Sequence, residues 1–199
     1  MRWAKRLAAP LIPVFLAFLV GAIFLIFSGH NPLEAYGALF EGALIGKSNL
    51  LNTLFSATPL MFTGIATAVA FRANIFNMGV EGQLYLGAFA AAYVGFTFHG
   101  LPPVVHVSLC LLAALAAGAL YALIPGLLKG FLNANEMVVT IMLNYVATLL
   151  TGYLASYPFK AKGVGFAATD LIEKSAELPR FSKMTQLNYS FVIALVVVL

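Results

Sequence analysis

Two blocks hold the residues best suited to chemistry, and both lie inside strongly apolar sequence. The first, residues 72–83, reads R-A-N-I-F-N-M-G-V-E-G-Q and sets Asn77, Glu81 and Gln83 beside Gly79 and Gly82. A carboxylate in apolar surroundings is costly, so Glu81 must face protein, a cavity or a partner charge. Two readings of this block stay open. Glycine-interrupted backbone within a membrane is tolerated only where it is buried or lines a cavity, which would make the block part of a solute path. The other reading is a cytoplasmic turn, with Glu81 in the first turn of the next helix, favoured there by the helix dipole and neutralised by Arg72. The second block, residues 135–145, reads N-E-M-V-V-T-I-M-L-N-Y. Thr140, Asn144 and Thr148 recur every fourth residue and share one helix face, either as interhelical glue or as a polar path lining. Ser56, Thr63 and Thr67 form a weaker stripe of the same kind.

Other motifs fall away on inspection. Gly42–Ser48 ends like a phosphate-binding loop but is one residue short of G-x-x-x-x-G-K-[ST] and follows no strand. Gly163-x-Gly165-x-x-Ala168 mimics a dinucleotide fingerprint, again without a strand. His30, His99 and His106 lack carboxylates at ligand spacing and read as interfacial histidines, so no metal site is expected. Cys110 stands alone in an apolar run, and no nucleophile–base pair is apparent.

The elements that must carry these residues follow from composition. Of 199 residues, 62% are hydrophobic and 9% charged, and the mean hydropathy is +0.96. Eleven basic and seven acidic side chains cannot clothe a soluble domain of this size. That excludes a soluble enzyme and a disordered chain. The net charge of +4 forms no basic stripe, so no nucleic-acid partner is expected. The expected class is an all-α polytopic membrane protein.

A crossing helix needs about 20 apolar residues. The pattern predicts spans at 8–28, 51–71, 84–98 (with a start as early as 77), 104–127 and 137–157, and an incomplete one at 189–199. That makes five complete helices and a truncated sixth, within one membrane domain covering 1–199. Eleven residues of helix reach only about 16 Å, against a hydrocarbon core of about 30 Å. A short helix is expected near 32–40, a polar loop at 129–136, and an extramembrane loop at 158–187. Arg2, Lys5 and Arg6 argue for a cytoplasmic N-terminus and an uncleaved first helix. The later loop strains that orientation, since it holds five basic residues against three acidic ones. Small residues repeat every fourth position at Gly87, Ala91 and Gly95, and at Ala114, Gly118, Ala122 and Gly126. Such stripes let helices approach closely.

Phe76–Gln83 resembles a signature of the permease subunits of bacterial ABC importers for nucleosides and simple sugars, distant relatives of the branched-chain amino acid permeases. Asn31–Tyr36, Gly126–Lys129, Asn135–Val138 with Thr140–Tyr145, and Ser175–Pro179 strengthen the likeness, which runs from about residue 28 to the end. The resemblance implies a multi-pass protein of the bacterial cytoplasmic membrane that passes a small polar solute, a nucleoside first. It implies no enzymatic activity and no cofactor of its own. ATP would be bound by a cytoplasmic ATPase subunit, beside a second permease subunit and an extracytoplasmic substrate-binding protein. Asn77, Glu81, Gln83, Thr140 and Asn144 are the expected path residues; Lys129, Asn135 and Glu136 are the expected ATPase-facing loop. At this length the chain is expected to be about half such a permease. The alternative function is an ion- or proton-coupled transporter in which Glu81 titrates.

Overall fold

The computed structural model describes residues 2–181 and 185–198, without the side chains of residues 2–10. Arg2, Lys5 and Arg6, on which the orientation argument rests, therefore carry side chains outside the described residues, as does Leu199. The chain separates into two compact units, residues 1–54 and 55–199.

In the first unit, α1 spans Arg2–Phe27 and α2 spans Pro32–Leu44. The start of α2 explains the Asn31–Tyr36 block. Asn31 accepts from the Leu33 amide at 3.0 Å and donates to Glu34 at 3.0 Å, while Pro32 takes the first helical position, where no amide hydrogen is needed. Tyr36 then donates to the Phe18 carbonyl at 2.6 Å and sets its ring edge-on to Phe18, which joins α2 to α1.

The helix α3, Lys47–Arg72, contains the unit boundary. Beyond it come α4 (Val80–Thr97), α5 (Pro103–Leu132), α6 (Glu136–Ser156), a single 3₁₀ turn at Lys174–Ala176 and α7 (Ser190–Val198). Among the described residues α3, α5 and α6 are long and apolar enough to cross a membrane, and Leu11–Phe27 is a shorter apolar stretch. The 18 residues of α4 reach about 27 Å. One expectation needs correction. The predicted polar loop at 129–136 is mostly helix: α5 runs on to Leu132, and only Asn133–Asn135 turn the chain, with Asn133 left-handed at φ 48°. Lys129 thus stands in the last turn of α5, where a cation favours the helix dipole.

The second unit is built around α4. Its contacts with α5 fall at Gly87 against Ala114 and at the Gln83 carbonyl against Gly118, so the two helices run antiparallel. Its contacts with α6 fall at Met78 on Thr140 and Gly82 on Asn144, so these two run parallel. Gly82, Gly87 and Gly95 are the buried residues of α4. A Cβ on Gly87 would lie 3.1 Å from the Ala114 carbonyl oxygen, so part of each small-residue stripe meets the other as expected. By contrast Leu115 and Leu120 of α5 are 69% and 65% exposed. Small residues inside and large apolar ones outside is the arrangement lipid allows and water penalises.

Candidate functional site

Between α3 and α4 the backbone leaves the helix for residues 73–79. Its polar groups need partners, and α6 supplies them. The Met78 amide donates to Thr140 Oγ1 at 3.1 Å, and that hydroxyl donates onward to the Glu136 carbonyl at 2.7 Å. Asn144 works with both ends of its amide: Nδ2 donates to the Met78 carbonyl at 2.8 Å, and Oδ1 accepts from the Gly82 amide at 2.8 Å. Asn77 closes the turn locally by accepting from the Gly79 amide at 2.8 Å. Thr140 is 2% exposed, so its own bonds are sheltered, whereas the Asn144–Met78 bond lies at the exposed edge of the segment. The spacing of four that sets Thr140 and Asn144 on one face of α6 matches the spacing from Met78 to Gly82 on its parallel neighbour.

The two glycines of the first block exist for this approach. A Cβ at Gly82 would sit 2.9 Å from Asn144 Oδ1 and 3.2 Å from the Asn144 Cα. A Cβ at Gly79 would sit 3.1 Å from both Asn77 Oδ1 and Thr140 Cβ. Thr140 and Asn144 thus hydrogen-bond an irregular segment to α6, and the two blocks meet at one place.

Glu81 points elsewhere. It is exposed at the start of α4 and, with Asn144, Tyr145 and Thr148 of α6, lines a groove of about 450 Å³. Gln83 does not join it. Two positions on, it is turned about 200° round the helix, and its carbonyl faces α5 at Gly118. Asn135 caps α6 by accepting from the Met137 and Val138 amides at 3.0 and 3.2 Å. Lys129 and Glu136 form an ion pair at 2.7 Å across the α5–α6 turn. Among the described residues no group of three or more His, Cys, Asp or Glu is placed to hold a metal.

At the opposite end of α4, in the first turn of α5, His106 is fully buried within the protein, at 0% exposure. Its Nε2 donates to the Val94 carbonyl at 3.2 Å and its Nδ1 accepts from Ser175 Oγ at 2.8 Å, the tautomer that an acceptor carbonyl on one side requires. The Glu173 amide donates to the Gly95 carbonyl at 2.9 Å, and Gly95 has no room for a Cβ beside Ile172. The loop after α6 is thereby stitched to the α4–α5 end. The Ser175–Pro179 block was the available signal, but nothing in it names His106 as partner.

Helices with buried glycines, outward-facing leucines and irregular backbone sealed by a neighbour's Thr and Asn define an all-α polytopic membrane protein. A family described as "Branched-chain amino acid transport system / permease component" matches residues 49–199, and the chain belongs to that family. It is similar to the guanosine ABC transporter permease protein NupP of Bacillus subtilis, at 41% identity over 76% of this chain and 43% of the relative. It is also similar to the glucose ABC transporter permease protein TsgB13 of Haloferax volcanii, at 35% over 85% of this chain and 44% of the relative. With the nucleoside ABC transporter permease protein NupB of Lactococcus lactis the identity is 31%, over 78% and 43%. The chain thus spans less than half the length of these curated relatives. No solved structure gives a significant match.

Proposed function

We propose that this chain supplies helices to the membrane-spanning permease subunit of an ABC importer that admits a small polar solute, a nucleoside first and a simple sugar second. The observation that carries the reading is one groove bordered by Glu81 of α4 and by Asn144, Tyr145 and Thr148 of α6, a helix long and apolar enough to cross a membrane. Its 41% identity to a guanosine permease favours the nucleoside. In this reading the protein sits in the bacterial cytoplasmic membrane with its N-terminus inside, and hydrolyses nothing. A cytoplasmic ATPase bears on the α5–α6 turn with Lys129, Asn135 and Glu136. An extracytoplasmic binding protein delivers solute to the other face, and a second permease subunit completes the pair. ATP acts by favouring one of two access states. Asn77, Thr140 and Asn144 shape the path by holding residues 77–79, and Gln83 supports α4 from the α5 side.

The test is uptake of labelled guanosine into proteoliposomes holding the intact permease, its ATPase and its binding protein. Uptake should require ATP and persist when ionophores dissipate ion gradients. Uptake that survives without the ATPase and collapses with the gradient would instead establish the ion- or proton-coupled transporter with Glu81 as titrating group.

A further inference from the structure

A pair of cavities lies at the α5–α6 turn, apart from the groove at Glu81. The inner one, of about 380 Å³ and partly open, is lined by residues between 70 and 77, the end of α5 and the start of α6. Its walls mix the polar groups of Asn74, Asn77 and Thr140 with the apolar surface of Ala122 and Pro125. The outer one, of about 410 Å³, lies against Phe76, Asn133 and Met137. Lys129 and Glu136 line both. Their 2.7 Å ion pair therefore stands in the wall between the two spaces. The Glu136 side chain is 18% exposed and that of Lys129 48%, so the pair is partly sheltered from water.

We propose that the inner cavity is a solute subsite and that the Lys129–Glu136 pair is the latch on its exit. The inference rests on the permease reading above for the identity of the solute. The inner volume falls within the roughly 300–1,000 Å³ of ordinary small-molecule sites, and its lining suits a neutral solute with one polar edge and one flat or apolar face. A nucleoside has that chemistry, and so has a hexose. The wall between the cavities at this point is made by two side chains that meet end to end. Because the latch spans the α5–α6 turn, a partner pressing on that turn would separate its two halves.

The experiment uses the intact permease with Cys110 replaced by Ala and a reporter thiol at Ala122→Cys, which lies in the inner cavity. Inverted membrane vesicles are treated with a membrane-impermeant maleimide, and the labelling rate is read. Glu136→Gln and Lys129→Gln should each speed labelling, by roughly five-fold, because each removes the ion pair that joins the two sides of the wall. The exchanged pair, Lys129→Glu with Glu136→Lys, should restore slow labelling, which a merely misfolded variant would not do. Saturating guanosine or glucose should slow labelling in the Glu136→Gln background. Equal rates in all variants would overturn the latch, and labelling that neither solute slows would overturn the subsite. Failure of guanosine uptake by the intact importer would defeat the permease reading separately, since the labelling rates are read without transport.

Discussion

At the scale of single residues, the site turns on the close approaches of two glycines, Gly79 and Gly82, to α6. Gly82 meets Asn144 both by its amide and by its missing Cβ. Gly82→Ala should destabilise the protein by about 1–3 kcal/mol, the usual cost of overpacking, because the obstructing atoms include the Asn144 backbone. Asn144→Ala should also destabilise, by leaving the Met78 carbonyl and the Gly82 amide without partners. Interhelical hydrogen bonds in membranes average only about 0.6 kcal/mol, whereas a buried unsatisfied group costs about 1–3 kcal/mol, so the size of the loss reports whether water reaches the segment. Thermal unfolding of the purified protein in detergent gives both values. The cycle joining Gly82→Ala with Asn144→Ala should be non-additive, since removing the amide removes part of the obstruction. Full additivity would mean that the two residues do not meet.

At the scale of elements, the sequence displayed the helices and concealed their ties. Spans over α3, α5 and α6 were legible because apolar runs of that length have few alternatives. The end of α5 was misjudged because Lys129 and Gly130 look like a loop in isolation, while Lys at a helix C-terminus is favoured by the dipole. The parallel pairing of α4 with α6 was encoded in two matching four-residue spacings, but nothing local reveals that they face each other. His106 was still harder to read: a lone histidine in an apolar run has no sequence signal for a partner 69 residues away. Its role is testable through the loop it holds. His106→Ala should loosen the segment around Ser175, so that trypsin cuts at Lys174 and Arg180 roughly ten-fold faster, as expected for the loss of about 1–2 kcal/mol of local stability. His106→Asn, which keeps a donor and an acceptor, should lie between the two. Unchanged cleavage in both variants would mean that the loop is held by Glu173 and Ile172 alone.

At the scale of the whole molecule, a polar groove interrupts the lipid-compatible surface of the described residues. Leucines cover the outward faces of α5, yet the groove on α6 presents Glu81, Asn144, Tyr145 and Thr148 together. Lipid does not solvate such a face, so in the membrane it must meet water, solute or other protein. Solute contact makes the sharper prediction. Glu81→Gln keeps the size of the side chain and removes its charge, so it discriminates packing from recognition. A hydrogen bond to a charged group is worth about 1.5–3 kcal/mol, which corresponds to roughly a ten- to hundred-fold fall in guanosine uptake at equal expression. Leu149→Ala, in the same groove but apolar, should change uptake far less. If the charge serves folding instead, Glu81→Gln should lower the amount of permease in the membrane and leave uptake per molecule intact. Normal expression together with normal uptake would remove Glu81 from both roles and leave the Thr140–Asn144 seal as the reason the two blocks face each other.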